Sequence, residues 1–455
     1  MSIEEIVKSQ RAFFATDATK PVSFRIDALK KLKSSILKKE RDLYSAMKED
    51  LNKSEFETYM TELGMVLDEL RFVSKRTPKW ARKRPVHTPL AQFHSRSFVV
   101  PEPYGVVLIM APWNYPFQLS LEPLIGAIAA GNCAVLKPSA YAPKTSQIVS
   151  EIISDCFPSN FVTVIQGGRR ENQDLLKQRF DYIFFTGSVA VGKFVMESAA
   201  KFLTPVSLEL GGKSPCIIDK TANLKVAARR LAFGKFLNAG QTCVAPDYLF
   251  VHSSVKDQVV ENLKQEIKNF YGASALGNAD YPKIINEKHL KRLKGLMAEG
   301  NLLTGGEISD RGQIAPTLID GINGQSPVMQ EEIFGPILPI LTYNDIEEVI
   351  SFVRAREKPL ALYLFTTDKA LEKRVLTSLS FGGGCINDTI IHLATSHMGF
   401  GGVGGSGMGS YHGKASFDTF SHSKSMLKKY NWLDLPFRYQ PYTKFNLKLI
   451  KMFLH

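Results

Sequence analysis

Apolar residues recur three and four positions apart through most of the first eighty residues. One series runs from Ile26 to Ile36 and another from Tyr59 to Val73. Because this spacing places the apolar side chains on one face, we expect the segment to be mostly amphipathic helix. Three prolines between residues 78 and 89 interrupt the pattern, and Ser97 to Val100 looks extended. We therefore expect residues 79–103 to form a separate arm.

From residue 104 onward, short apolar runs alternate with helical stretches. Helical patterns lie near 119–130, 143–155 and 189–201, and the apolar runs lie at 106–110, 133–137, 161–166, 182–185 and 206–208. Buried strands that alternate with helices predict right-handed βαβ units in a parallel, doubly wound sheet. Ligands of such sheets bind beyond the carboxyl ends of the strands. The turns at 111–114, 137–139 and 186–188 are therefore candidate binding positions.

A second pattern of the same kind follows Lys213. Its helices are predicted near 223–237, 255–270, 345–355 and 368–378, and its strands at 215–218, 248–252, 337–342, 361–366 and 384–386. We predict an α/β protein with two doubly wound α/β domains and a small bridging or oligomerisation element. The predicted first domain comprises 1–78 and 104–208, the second comprises 209–410, and the bridging segments are 79–103 and 411–455.

Composition limits the kinds of partner. The 455 residues, 44% of them hydrophobic, carry a net charge of +13, which suits nucleic acid, an anionic membrane surface or an anionic cofactor. Six of the ten residues from 75 to 84 are basic, but no RNA- or DNA-binding motif surrounds them. We expect no nucleic-acid partner.

The cysteine pattern indicates a reducing compartment. The five cysteines form no CxxC pair and no cluster with histidine at metal-ligand spacing, so we expect free thiols, no disulfide framework and no metal site. No secretory segment opens the chain, and no apolar run reaches the eighteen or so residues of a membrane span. These features predict a cytoplasmic protein.

One cysteine stands out as a candidate nucleophile. Residues 234–247 read GKFLNAGQTCVAPD and place Cys243 after a Gly-Gln-Thr turn and before Pro246, which indicates a loop position. A thiolate attacks carbonyl carbon well, whereas a lone cysteine is more often a small buried apolar residue. The nine scattered histidines also leave a Cys-His protease open.

Two further polar residues end predicted strands. Glu209 follows a buried strand beside two glycines, where a desolvated carboxyl has a raised pKa suited to a general base. It could instead pair with Lys213. Asn114 lies on a strand-to-helix turn, where its amide could stabilise an oxyanion or cap the next helix.

Two glycine-containing stretches compete as phosphate sites. Residues 402–407 satisfy G-x-G-x-x-G, but they neither follow the start of a βαβ unit nor open a helix, so we interpret them as a tight structural loop. The better site is the stretch 184–192, where a strand ends in Gly187-Ser188 and a helix begins. Ser188 as a simple N-cap is the alternative.

Seven stretches of the chain match signatures that occur together, in the same order, in one known family. They are APWNYP at 111–116, VLKPS at 135–139, FFTGS at 184–188, LELGGKSP at 208–215, FGKFLNAGQTCVAPD at 233–247, QEEIFGP at 330–336 and FGGVGGSGMG at 400–409. On these stretches the chain resembles an aldehyde dehydrogenase over nearly its whole length. It looks most like the class 3 or fatty-aldehyde branch.

The resemblance implies roles for particular residues. Cys243 would be the nucleophile and Glu209 the general base, with Asn114 and the Cys243 backbone N–H forming the oxyanion hole. The first domain would bind NAD or NADP, and the second would be catalytic. The implied cofactor-binding residues are Trp113, Lys137 at the adenosine ribose, Gly187 and Ser188 at the pyrophosphate, Val191, Gly192, and Glu332 and Phe334 at the nicotinamide ribose and ring.

The implied reaction is oxidation of an aldehyde to a carboxylic acid through a thiohemiacetal and a thioester on Cys243, with hydride passing to the nicotinamide. A CoA-acylating enzyme is the nearest alternative, although Glu209 would have no role as a water-activating base there. A non-catalytic binding protein on the same fold would be expected to lose Cys243 or Glu209.

The sequence departs from many NAD-preferring members at Ala140, where they carry a glutamate that repels a 2′-phosphate. This departure predicts that NADP is tolerated beside NAD. Aromatic residues near Asn114 suggest an apolar aliphatic, aromatic or isoprenoid substrate, although core packing explains them equally well. The family also implies a homodimer. The basic and apolar tail at 444–454 could pack on the partner subunit, which we favour, or touch an anionic membrane surface.

Overall fold

The computed structural model describes residues 1–454, apart from the side chains of Phe437 and Phe453. Its helices are Ile3–Phe14 (α1), Val22–Lys38 (α2), Glu40–Leu51 (α3), Glu55–Thr58 (α4), Gly64–Trp80 (α5), Gln118–Ala130 (α6), Pro143–Cys156 (α7), Arg169–Leu176 (α8), Val189–Ala200 (α9), Leu224–Phe236 (α10), Lys256–Tyr271 (α11), Glu287–Leu296 (α12), Ile346–Arg354 (α13), Lys369–Ser378 (α14), Gly413–Thr419 (α15) and Lys444–Phe453 (α16). A π-helical turn, Tyr59–Leu63, joins α4 to α5.

The strands fall into three sheets. They are Arg84–Val86 (β1), Ser95–Pro103 (β2), Val106–Met110 (β3), Cys133–Lys137 (β4), Val162–Val164 (β5), Tyr182–Gly187 (β6), Val206–Leu210 (β7), Pro215–Ile218 (β8), Tyr248–His252 (β9), Asn301–Thr304 (β10), Thr317–Asp320 (β11), Ile337–Tyr343 (β12), Ala361–Phe365 (β13), Gly383–Ile386 (β14), Gly407–Met408 (β15) and Ser421–Lys429 (β16). The predicted α/β class with two doubly wound domains is confirmed.

The first large sheet has the order β15-β7-β6-β3-β4-β5 and is parallel except for β15. Its central strands β3 and β4 are buried at every position, because helices cover both faces. α6 is buried along its whole length, which explains why its sequence is apolar on all sides.

The second large sheet has the order β10-β11-β12-β9-β8-β13-β14 and is parallel except for β10. Strands β8 and β13 are buried throughout. The helices that flank them are amphipathic, as α13 shows by burying only Val349, Ile350 and Val353.

The third sheet is small and antiparallel, with the order β1-β2-β16. β2 pairs along its whole length with β16, from Ser95 opposite Lys429 to Pro103 opposite Ser421. The expected arm at 79–103 is therefore a two-stranded extension that residues from the C-terminal part of the chain complete.

Two short elements from the predicted second and bridging ranges pack on the first domain. β15 joins that sheet, and α15 packs on α6, where a Cβ at Gly126 would lie 2.6 Å from the Cβ of Ser416. The predicted domain division stays a prediction, and its last residue, His455, lies outside the described residues. Within residues 1–454, no helix combines the length and the apolar character required to cross a bilayer.

Candidate active site

Four neighbouring strands of the first large sheet bring predicted site residues to one edge. The strands β7, β6, β3 and β4 lie side by side and run parallel, so their carboxyl ends meet. Glu209 is the penultimate residue of β7, Gly187 ends β6, and Lys137 ends β4, while Asn114 follows β3. The predicted binding turns therefore share one side of the sheet.

The backbone that leads to Cys243 is tightly bent. Asn238 and Ala239 both have φ near 51°, and Gly240 has φ of 72°, so three consecutive residues adopt the left-handed region. The buried side chain of Gln241 holds this bend: its Nε2 donates to the carbonyls of Asn238 and Lys283 at 3.1 and 3.0 Å. This fixed bend positions the cysteine at the end of the loop.

Tyrosines anchor both neighbours of Cys243. The hydroxyl of Tyr115 lies 2.6 Å from Thr242 Oγ1, and that of Tyr363 donates to the carbonyl of Val244 at 2.6 Å. The cysteine itself is half-buried and lines a cavity of about 180 Å³. The thiol therefore faces a cavity and is not sealed in hydrocarbon.

The cavity beside Cys243 is apolar. Among the described residues that line it, none carries a charge, and they include Met60, Met65, Phe233, Leu237, Ile391, Leu393, Phe400 and Tyr411. Met60 and Ile391 are also exposed at the surface, so the cavity opens to solvent between apolar side chains.

Glu209 is buried without a hydrogen-bond partner. Its side chain is only 3% exposed, and within residues 1–454 neither carboxyl oxygen has a partner. Burial raises the pKa of this carboxyl well above its usual value. The alternative pairing with Lys213 is not present, because Lys213 forms an ion pair with Asp247 and donates to Val328 O at 2.9 Å.

Glu209 and Cys243 lie close enough to influence each other electrostatically. Burial raises the pKa of the Cys243 thiol to about 12, and the carboxylates of Glu332 and Glu209 add to the rise. The thiol is therefore neutral at rest near pH 7 and needs a base to become a nucleophile. Glu209 supplies an unpartnered carboxyl within electrostatic range of the thiol.

The amide of Asn114 faces the cysteine loop. Its side chain is 3% exposed, and Nδ2 donates to the carbonyl of Gln241 at 3.0 Å. The capping alternative does not hold, because Glu62 accepts from the first N–H groups of α6 instead, at 3.0 Å from Phe117 N. An Asn side-chain amide has two N–H donors, so one of them remains for a ligand.

A second cleft, of about 660 Å³, adjoins Glu332 and the start of α9. Ser188 is the N-cap of α9, but its side chain makes no capping hydrogen bond, so the first-turn N–H groups are available to an anion. A Cβ on Gly211 would lie 2.0 Å from Glu332 Oε2, so a side chain at this position would displace the Glu332 carboxyl. The cleft thus fits a dinucleotide phosphate.

The structure also places the other residues that the resemblance assigns to cofactor binding. Trp113 and Phe334 meet edge to face at 5.4 Å, and Val191 is 43% exposed on α9. A Cβ on Gly192 would lie 2.7 Å from Leu210, which shows a packing requirement. Lys137 is buried and donates to Gly167 O at 2.6 Å, and burial lowers its pKa to about 8.

Parts of the site were not predicted from the sequence. The glycine-rich stretch at 399–409, of which residues 402–407 were interpreted as a structural loop, also supplies Phe400 to the cavity and lies against Glu209, since a Cβ on Gly401 would be 3.2 Å from Oε1. The supporting side chains of Gln241 and Glu62 were missed too. Their contacts cross between distant segments, and no local pattern signals them.

The two doubly wound α/β sheets, together with the half-buried Cys243 and the buried side chains of Glu209 and Asn114, indicate an oxidoreductase. The profile of the aldehyde dehydrogenase family matches residues 1–426, and the chain belongs to that family. The predicted class 3 or fatty-aldehyde branch and the predicted enzyme type are confirmed.

Three similar proteins span nearly the whole chain. The 4,4'-diaponeurosporen-aldehyde dehydrogenase of Staphylococcus aureus is 50% identical over 454 residues, covering 99% of each chain. The dimeric, NADP-preferring aldehyde dehydrogenase of Canis lupus familiaris is 46% identical over 444 residues, covering 96% of this chain and 98% of its own. A substrate-bound structure of Staphylococcus aureus AldH superposes with a TM-score of 0.98 at 49% identity, covering 100% of both chains.

Proposed function

We propose that this aldehyde dehydrogenase oxidises apolar aldehydes to carboxylic acids through a covalent intermediate on Cys243, with Glu209 as general base. The observation that carries the proposal is the buried, unpartnered carboxyl of Glu209 within electrostatic range of a cavity-lining thiol. Such a carboxyl is costly to bury without a function.

The first task of the site is to activate the thiol. Glu209, whose pKa is raised by burial, accepts the Cys243 proton as the thiolate attacks the aldehyde carbon. Negative charge then develops on the former carbonyl oxygen. The Asn114 amide and the Cys243 backbone N–H donate to that oxygen.

A bound nicotinamide dinucleotide, NAD or NADP, supplies the hydride acceptor. Gly187 and Ser188 at the start of α9 would hold it, together with Glu332 and Phe334. After the first proton has passed to solvent, the Glu209 carboxylate removes a proton from water, and the resulting hydroxide opens the thioester, releasing the acid and the Cys243 thiolate. The buried base thus acts twice.

The cavity supports an apolar substrate. Its lining lacks charge among the described residues, and its opening lies between exposed Met60 and Ile391, so a chain longer than the cavity could extend to the surface. The Staphylococcus aureus relative is named for a diaponeurosporen-aldehyde, which agrees with a long apolar aldehyde.

We further infer a cytoplasmic homodimer. The dimeric dog relative supports the assembly, and the free cysteines support a reducing compartment. We infer that α16 packs on the partner subunit; the alternative is that it contacts a membrane surface.

Single-turnover kinetics test the chemistry. Cys243→Ala should abolish turnover. Glu209→Gln should release about one equivalent of reduced cofactor, in a burst slower than that of wild type because the thiol must lose its proton to solvent, and should then stall at the thioester. Adding CoA to the wild-type enzyme should leave free acid as the product. Unchanged steady-state turnover in the Gln variant would remove the hydrolytic role of Glu209, and acyl-CoA as the main product would favour the CoA-acylating alternative.

A further inference from the structure

A fully buried ion pair lies beside Asn114. Lys53 Nζ is 2.7 Å from Glu62 Oε1, and both side chains are completely inaccessible to solvent. Burial of two charges costs desolvation energy, and apolar residues of similar volume often stabilise a protein as well or better. A gain in stability is therefore a poor explanation for the presence of this pair. The groups to which Lys53 and Glu62 are hydrogen-bonded explain it better.

Lys53 points its remaining donors at the turn that carries Asn114. Its Nζ donates to the Asn114 carbonyl at 3.0 Å and lies 4.0 Å from the ring centre of Tyr115. Tyr115 in turn contacts Thr242, the neighbour of Cys243. The buried Lys53 ammonium group thus contacts two consecutive residues next to the site, Asn114 and Tyr115.

Glu62 holds the other end of the same turn. Its Oε2 accepts hydrogen bonds from the backbone N–H groups of Phe117 and Gln118, at 3.0 and 2.9 Å. The residue lies in the π-helical turn Tyr59–Leu63, which turns Glu62 inward while Met60 lines the cavity. Such turns often occur at functional sites.

The hydrogen bonds around Lys53 and Glu62 continue to the loop that presents Cys243. We call the side chains of Lys53, Glu62 and Asn238 the frame of Asn114. Asn238 Nδ2 donates both to the Asn114 carbonyl, at 2.9 Å, and to the Gln241 carbonyl, at 3.2 Å. The Gln241 carbonyl also accepts from the Asn114 amide. The Asn114 carbonyl therefore receives one donor from Lys53 and another from the loop that presents Cys243.

We propose that Lys53, held by Glu62, is a positioning residue that sets the Asn114 amide against Cys243. This inference rests on the proposed role of Asn114 in the oxyanion hole. A donor displaced by a fraction of an ångström loses much of its effect on developing charge, while ground-state binding in the apolar cavity is unaffected. Loss of Lys53 should therefore lower kcat more than it raises KM.

The test uses the full chain with a saturating nicotinamide cofactor and one aldehyde. Lys53→Met should lower kcat by about tenfold or more, with KM within about threefold of wild type. The rate of Cys243 alkylation by iodoacetamide should stay unchanged, because that reaction needs no oxyanion hole. Lys39→Met is the matched control: it removes a lysine 2.8 Å from Glu151, away from the site, and should leave kcat unchanged.

A double-mutant cycle separates positioning from general damage. Asn114→Ala alone should lower kcat about a hundredfold, and adding Lys53→Met should cost nothing further. Multiplicative losses, or a parallel fall of kcat, alkylation rate and Tm, would overturn the positioning role. If Lys53→Met does not fold, the neutral pair Lys53→Met with Glu62→Gln takes its place in the same cycle. Wild-type kcat in Asn114→Ala would instead refute the proposed oxyanion hole.

Discussion

At the scale of single residues, the site combines a neutral thiol with an unpartnered carboxyl. Cys243 lies at the end of a bend whose left-handed residues are held by Gln241, and Glu209 lies on a rigid buried strand. Burial raises the pKa of both groups, which keeps the Cys243 thiol protonated near pH 7 and makes the Glu209 carboxylate a stronger base. We therefore expect reactivity to depend on proton transfer during attack and not on a preformed thiolate.

The raised thiol pKa gives a pH-dependent prediction for the cofactor-free enzyme. Only the thiolate reacts with iodoacetamide, and burial raises the Cys243 pKa to about 12. The alkylation rate should thus rise about tenfold per pH unit through pH 9, without levelling near pH 8.5 as an exposed thiol would. Subtracting the labelling of Cys243→Ala removes the contribution of the other four cysteines. A plateau near pH 8 would contradict the buried environment of this thiol.

At the scale of elements, the expected tolerance of NADP can be tested at the turn between β4 and α7. Ser139 Oγ accepts from Tyr141 N at 3.2 Å, and Ser146 donates to the Ser139 carbonyl at 2.7 Å, so the turn is held in place. Ala140 is exposed on it, close in sequence to Lys137, and brings no negative charge to the cleft. A 2′-phosphate would meet no repulsion from this position.

The place of Ala140 in this turn predicts how an acidic substitution changes the preference between NAD and NADP. Ala140→Glu should lower kcat/KM with NADP by about tenfold or more relative to NAD, because a carboxylate repels the extra phosphate. Ala140→Gln is the control with the same size and no charge, and it should shift the ratio little. A wild-type preference for NAD above about a thousandfold would contradict the expected tolerance of NADP.

Elements that follow a simple pattern were predicted at nearly their observed bounds. β3, β4, β8 and β9 are continuous apolar runs, since both faces of a parallel sheet are covered. Short polar helices such as α8 and α12 were missed, because each buries only two apolar residues. β15 lies in a glycine-rich run, and only its pairing with β7 makes it a strand.

At the scale of the whole molecule, the site exists only because distant segments meet. Residue types and motifs suggested Cys243, Glu209 and Asn114. The frame of Lys53, Glu62 and Asn238 could not be predicted, because its hydrogen bonds join three segments whose order in the chain says nothing about their packing. The antiparallel sheet β1-β2-β16 depends in the same way on a strand more than three hundred residues from its partner.

The C-terminal helix provides the test of assembly. α16 carries Lys444, Lys448 and Lys451 beside exposed Phe445, Leu447 and Met452, which are 69%, 53% and 66% exposed in the single chain. Apolar side chains this exposed indicate that another surface covers them.

We expect that surface to be the partner subunit, so removal of residues 444–455 should shift the protein from dimer toward monomer in sedimentation. In flotation with anionic vesicles, full-length and truncated protein should remain equally in the soluble fraction. Flotation of the full-length protein alone would assign the helix to a lipid surface, where its lysines would meet anionic headgroups.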